Sequence, residues 1–268
     1  MEEIKFAELS SSDIRTFWQK LDIDEKELHL KALESDKRQS VRALGEQFKR
    51  QRRRGEDLRE EFRKLSTYED RLRQKGFRLI AGADESGRGA LAGPLVAAAV
   101  ILPEQFFLPG LKDCKLLSPD RRKEFYGKIV EQAVSWQTAI IEPAIIDNIG
   151  LHKANISALV QALSELDRRP QYILTDGFSV ANLIAEPHLS LIKGDNLCLS
   201  VAAASIISKV TRDRIMERYH RQYPCYGFRE HKGYGTFEHR RKIEEYGPCP
   251  IHRRSFSGVV SAGDENAE

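Results

Sequence analysis

No proline occurs in the first 75 residues of this chain, and glycine appears there only at positions 45 and 55. That shortage of chain breakers argues against turns and short strands and leaves room for long helices. Cysteine is scarce as well. Cys114, Cys198, Cys225 and Cys249 stand far apart with no C-x-x-C pair, which argues against a zinc knuckle or a dithiol redox motif and fits reduced thiols. The longest apolar run, Leu91 to Pro103, is too short to span a bilayer and is broken by Gly93 and Pro94. The opening MEEIKFAELS has neither a basic n-region nor an apolar h-region. No secretory signal is expected, and a soluble, cytoplasmic protein is.

What is present is a chain of 268 residues, enough for one large domain or two small ones. The net charge of +3 conceals an uneven distribution. Residues 1–36 carry 5 basic and 10 acidic side chains, residues 37–78 carry 15 and 7, and the remainder balances at 23 against 23. A local basic excess of this kind attracts polyanions, although a solvated helical face reads the same way.

The texture changes near Lys75–Gly76. Before it, Leu44, Phe48, Leu58, Phe62 and Leu65 recur at spacings near three and four, predicting two or three amphipathic helices. One of Ser11, Ser12 or Asp13 is expected to cap the first and Asp24 another. The basic run KRQRRR ends at Gly55, where a helix junction is expected. Residues 1–75 therefore read as a helical N-terminal extension and 76–268 as the main domain. In the latter, apolar runs at 79–83, 95–102, 135–141, 171–175 and 189–193 predict strands. Helical patterns at 119–133, 154–167 and 197–220 intervene. This is an α/β layer architecture, and the tight connection around Gly93–Pro94 makes its sheet mixed.

Chemistry concentrates at strand ends. Asp84 and Glu85 close the first apolar run and lead into Gly87-Arg88-Gly89. A carboxylate at the rim of a core needs a partner, because an unpaired buried charge is costly. A divalent cation would serve, and a simple turn-capping Asp remains the plainer reading of this motif alone. Two more apolar runs end likewise, in Asp176-Gly177 and in Gly194-Asp195. Acids gathered beyond neighbouring strand ends form an oxygen-only set suited to Mg²⁺ or Mn²⁺ and to phosphoryl chemistry.

The stretch DESGRGALAGPLVAAAV resembles the opening signature of ribonuclease HII, the type-2 ribonuclease H family. The resemblance continues through DCKLLSPDRR (113–122), TDGF (175–178), KGDNLCLSVAAASIISKVTRDR (193–214), YPCYGFREHKGYGTFEH (223–239) and IHRRSF (251–256). It implies a ribonuclease H-like mixed central sheet flanked by helices, with a C-terminal helical region. It implies a metal-dependent endoribonuclease acting on RNA–DNA hybrids and at single ribonucleotides in duplex DNA, leaving a 5′-phosphate. The family's metal-binding carboxylates fall on Asp84, Glu85, Asp176 and Asp195, with two Mn²⁺ or Mg²⁺ ions during catalysis. Its substrate-contacting loop falls on Gly87, Arg88 and Gly89, and its substrate-reading tyrosine on Tyr234. Lys115 and Lys209 are further candidate phosphate contacts. A monomer without an organic cofactor is expected.

Departures from the family pattern are small: Ser86 where Ala is common, Ala90 where Pro is common, and Cys114 where Ser is common. The sister family, ribonuclease HIII, lacks this Gly-Arg-Gly loop. His188, His220, His231, His239 and His252 show no metal-ligand spacing and read as packing or phosphate-adjacent residues.

Overall fold

The computed structural model describes residues 6–112, 114–181 and 183–259. The chain divides into two compact units, Met1–Glu61 and Phe62–Glu268.

In the first unit, α1 (Ser11–Lys20) starts from Ser10, whose side chain accepts from the Asp13 amide. The caps expected at Ser11, Ser12 or Asp13 and at Asp24 thus sit slightly early. Asp22, not Asp24, caps α2 (Ile23–Glu34), and it does so in a reciprocal box with Glu25. Next comes α3 (Gln39–Leu65), which runs straight through Gly55. No junction forms there. Gly55 costs a helix only about 1 kcal/mol, and good helix formers and the Arg52–Glu56 pair surround it. Ile14, Trp18, Leu33, Val41 and Phe48 fill the core of this unit. The acidic α2 is paired with the basic α3 through Glu34–Lys49 and Glu27–Arg52.

The second unit begins with the last turn of α3 and α4 (Thr67–Gln74). Its strands follow as β1 (Ile80–Ser86), β2 (Leu95–Ile101), β3 (Ser135–Ile141), β4 (Tyr172–Asp176) and β5 (His188–Leu191). Among the described residues they form one five-stranded sheet, ordered β3-β2-β1-β4-β5. Antiparallel pairing joins β1 to β2 and β2 to β3; parallel pairing joins β1 to β4 and β4 to β5. The sheet is mixed, as the short β1–β2 connection requires.

The remaining helices are α5 (Pro119–Gln132), α6 (Pro143–Ile149), α7 (Leu151–Ser164), α8 (Leu199–Gln222), α9 (Phe228–His231) and α10 (Phe237–Tyr246). Strand alternation sorts the core into two layers. Ala98 and Val100 pack with Phe125, Ile129, Ala203 and Ile207 of α5 and α8. Ala97, Ala99 and Ile101 pack with Ala158, Leu159 and Ala162 of α7. On β1, Gly82 has a structural reason: a Cβ there would sit 2.1 Å from the Ser200 carbonyl carbon, so only glycine lets α8 lie this close. No helix among the described residues is long and apolar enough to cross a membrane.

Candidate active site

β1 carries two acids in succession, so they leave the sheet on opposite faces. Asp84 is buried, and Glu85 lies on the face covered by α7, beside the fully buried Asn155. Asp176 ends the neighbouring parallel strand, β4. Its Oδ1 accepts the Gly194 amide at 2.7 Å, tying that strand end to the tight turn that carries Asp195. Gly194 fits because its α-carbon packs against β4: an added Cβ would lie 3.3 Å from the Thr175 carbonyl. Asp195 is buried, with Asn196 Nδ2 3.0 Å from Oδ1 and Lys115 Nζ 3.7 Å from Oδ2.

The electrostatics join these acids into one cluster. Burial, then the negative charges of Glu85, Asp176 and Asp195, push the Asp84 carboxyl far above its ordinary range. Burial and Asp176 raise Glu85 to about 7, against the opposing pull of Arg88 and Asn155. Glu85 Oε2 is buried without a hydrogen-bond partner among the described residues. Among the described residues no group of three or more Asp, Glu, His or Cys side chains stands close enough together to hold a metal ion as it is. The acids are instead held apart by mutual repulsion, with excess negative charge and an unsatisfied buried carboxylate oxygen. An all-oxygen donor set in that condition fits a hard divalent cation.

Beside the acids, Gly87 has φ +91°, and an added Cβ would stand 2.0 Å from Arg212 Nε. The chain turns there only because glycine occupies the position. Nothing stands within 4 Å of a Cβ added at Gly89, so that backbone is open to an approaching strand. The exposed Arg88 places its guanidinium 4.5 Å above the Phe178 ring. Tyr234 reaches the same loop by a β-bridge with Ala90, and its ring is 37% exposed. Lys209 Nζ lies 5.9 Å over that ring while bonded to Asp213 at 2.6 Å, and the Arg212 guanidinium lies 5.2 Å over it.

The sequence reading did not single out the residues beneath this loop. Arg212 is fully buried and donates to the carbonyls of Ala92, Pro94 and Lys232. Arg253, also fully buried, donates to those of Gly93 and Arg88. Burial, then the neighbouring Arg212, pulls the Arg253 guanidinium down to about 9. Two buried cations held by carbonyl dipoles fix the 88–94 segment. The available signal for Arg212 was its spacing of three and four residues from Ile215 and Met216, which puts it on the buried face of α8. Asn155 and Glu69 gave no comparable signal. Glu69 on α4 is buried and accepts from both the amide and the hydroxyl of Ser200 at the start of α8.

This sheet order, with acids at the ends of adjacent parallel strands, defines a nuclease of the ribonuclease H-like class. The chain belongs to the ribonuclease HII family: the Ribonuclease HII family model matches residues 81–259, and the Ribonuclease HII N-terminal domain model matches residues 12–73. Ribonuclease HII of Bacillus licheniformis is 44% identical over 236 residues, spanning 88% of this chain and 92% of that protein. Ribonuclease HII of Bacillus cereus (strain AH820) is 43% identical over 237 residues, 88% of this chain and 91% of that one. Among solved structures, the ribonuclease H2 from Pyrococcus horikoshii OT3 matches with a TM-score of 0.59 and 28% identity, over 67% of this chain and 94% of its own. Bst-RNase HIII, solved in complex with Mn²⁺, shares the fold with a TM-score of 0.53 at 20% identity, over 68% of each chain.

Proposed function

We propose that this nuclease hydrolyses the RNA strand of RNA–DNA hybrids and cuts beside single ribonucleotides in duplex DNA, leaving a 5′-phosphate and a 3′-hydroxyl. The observation that carries the reading is the junction of two features on one strand. The mutually repelling acids of β1 run directly into the glycine loop that Tyr234 flanks. Asp84, Glu85, Asp176 and Asp195 would hold two divalent cations, Mg²⁺ or Mn²⁺. When bound, such ions supply Lewis-acid stabilisation of charge developing on a phosphodiester and favour an ionised attacking water.

The chain's own residues do the rest. Glycine at 87 and 89 lets a nucleic-acid strand come close enough for backbone groups to meet a 2′-hydroxyl. Arg88 offers a planar fork to a phosphate. Tyr234 offers a half-exposed ring to a sugar or base. Lys115 and Lys209 add positive charge at either flank, each also engaged with an acid. The helical first unit adds sequence-independent phosphate contacts through its exposed basic run.

The test is cleavage of three labelled duplexes with and without Mg²⁺ or Mn²⁺: an RNA–DNA hybrid, DNA with one ribonucleotide, and all-DNA. Metal-dependent cutting of the first two with 5′-phosphate products is expected. Equal cutting of the all-DNA duplex would refute the reading.

A further inference from the structure

Three histidines lie outside the acidic cluster and around the peptide of Tyr234. His239 and His252 are buried, and their Nε2 atoms are 3.0 Å apart. His231 stacks on His239 with ring centroids 4.4 Å apart.

Their hydrogen-bond partners determine where each proton sits. The Cys249 amide points at His252 Nδ1 from 2.9 Å, nearer than the Cys249 Sγ at 3.1 Å and carbonyl at 3.3 Å, and an amide N–H can only donate. His252 Nδ1 therefore accepts, and the ring carries its proton on Nε2. That proton faces His239 Nε2, which must accept it. His239 then carries its proton on Nδ1, 2.9 Å from the Tyr234 carbonyl, which can only accept. Assignment from the opposite end gives the same answer. The result is a directed chain from the Cys249 N–H through His252 and His239 to the Tyr234 carbonyl. An imidazolium at either position would bring two N–H groups face to face. Burial keeps both rings neutral, lowering each to about 4.

The other side of the Tyr234 peptide is fixed too. Its amide donates to the His231 carbonyl at 2.9 Å, and His231 itself receives the Gly233 amide and donates to the Tyr226 carbonyl. Gly233 in turn accepts from the amides of Leu91 and Ala92, just beyond the Gly-Arg-Gly loop. Orientation of the Tyr234 backbone therefore sets where its ring stands against that loop.

We propose that His239 and His252 are positioning residues: a neutral two-histidine relay that orients Tyr234 for reading the ribose at the cleavage site. This rests on the role given to Tyr234 above.

Amide isosteres test the relay with opposite senses at its two positions. The Asn amide nitrogen replaces Nδ1–H and that of Gln replaces Nε2–H. At position 239 the donor that matters is Nδ1–H, so His239→Asn should cleave the single-ribonucleotide duplex within about threefold of wild type. His239→Gln should lose about tenfold, the worth of one buried hydrogen bond. At position 252 the order should reverse, with Gln tolerated and Asn damaging. In a Tyr234→Ala background, His239→Gln should add nothing. A uniform response to Asn and Gln at both positions, with Tyr234→Ala itself damaging, overturns the relay alone. A Tyr234→Ala variant that cleaves like wild type overturns the reading of Tyr234 and the relay with it. Where a variant fails to fold, ¹⁵N spectra of the intact protein decide. Opposed tautomers, Nδ1–H on His239 and Nε2–H on His252, are expected, and like tautomers overturn the proposal.

Discussion

In the first unit, charge stays at the surface: acids of α2 meet bases of α3 across solvent-exposed pairs, and the core is apolar throughout. In the second, charge is taken inside. Asp84, Asp195, Glu69, Arg212 and Arg253 are all buried: Lys115 stands beside Asp195, Glu69 accepts from Ser200, and backbone carbonyls hold the two arginines. Surface pairs each contribute little, whereas a buried charge costs several kcal/mol unless its neighbours compensate it, and the neighbours of Asp84 are acids that repel it. The difference locates function in the second unit without reference to any motif.

The comparison is broken hardest by neutralising one buried acid. Asp84→Asn should reduce cleavage by about 10³-fold or more, as loss of a preorganised electrostatic group does. The melting temperature of the metal-free protein should rise, because burial and three neighbouring acids disfavour the charge it removes. No surface acid of α2 should behave this way when replaced. A metal-free Asp84→Asn protein that melts below wild type would show that the cluster is compensated internally.

A proton sharpens the same contrast. Glu85 lies at about 7 in the fold against an ordinary 4.5, so the folded state holds its proton more tightly than the unfolded chain does. The stabilisation this gives is fully present below the unfolded value and is lost as pH rises through the folded one. Relative to a Glu85→Gln variant, which shares the opposing contribution of the neutral His239 and His252, metal-free stability should fall between those two values by about 1.4 kcal/mol per pH unit. Added Mg²⁺ or Mn²⁺ should restore it near pH 7 and above, while cleavage rises with pH over the same window. Thermal melts with and without chelator measure this. A difference in metal-free melting temperature between wild type and Glu85→Gln that stays flat over the window would contradict the raised value.

Much of this second unit was legible in the sequence, because buried strands of β-branched and small residues end abruptly in acids. Runs such as Tyr172–Asp176 announce both the strand and its acidic end. The Gly-Arg-Gly loop was legible because close backbone approach demands glycine. What was hidden depends on contacts across long separations. Glu69 meets Ser200 across 131 positions, and Arg253 meets Gly93 across 160. The histidine relay joins His239 to His252 through a bond no spacing rule predicts. In the first unit the helices were legible and their ends were not. Propensity carried α3 through Gly55, and neighbouring polar residues competed for each cap.

A third prediction concerns where the two units part. Residues 1–75 form the extension on composition, yet α4 lies with the second unit, where Leu72 packs against Ile80, Leu174 and Val201. Removing residues 1–61 should therefore preserve the melting transition of the catalytic unit. Removing 1–75 should lower it, because Ser200 loses its carboxylate partner and the cluster loses Leu72. Glu69→Ala alone should cost about 1–2 kcal/mol, the worth of a helix cap. Equal melting of the two truncations would place α4 outside the folded catalytic unit.

The smallest effect tests whether the surface charge of the first unit does anything beyond facing solvent. Within the basic run, Lys49 and Arg52 are engaged by acids of α2. Arg50, Arg53 and Arg54 are exposed and make no ion pair among the described residues, so they are the charges left over for a polyanion. Each phosphate contact contributes about 0.9 to the slope of log affinity against log salt. Replacing both Arg53 and Arg54 with Gln should flatten that slope by as much as about 1.8, raise KM at physiological salt and leave kcat unchanged. Replacing Lys49 and Arg52 instead should shift the slope less, since their partners on α2 already offset them. If both double variants give the wild-type slope, the run is a solvated helical face. The phosphate affinity of the protein then resides wholly in the second unit, with Arg88, Lys115 and Lys209.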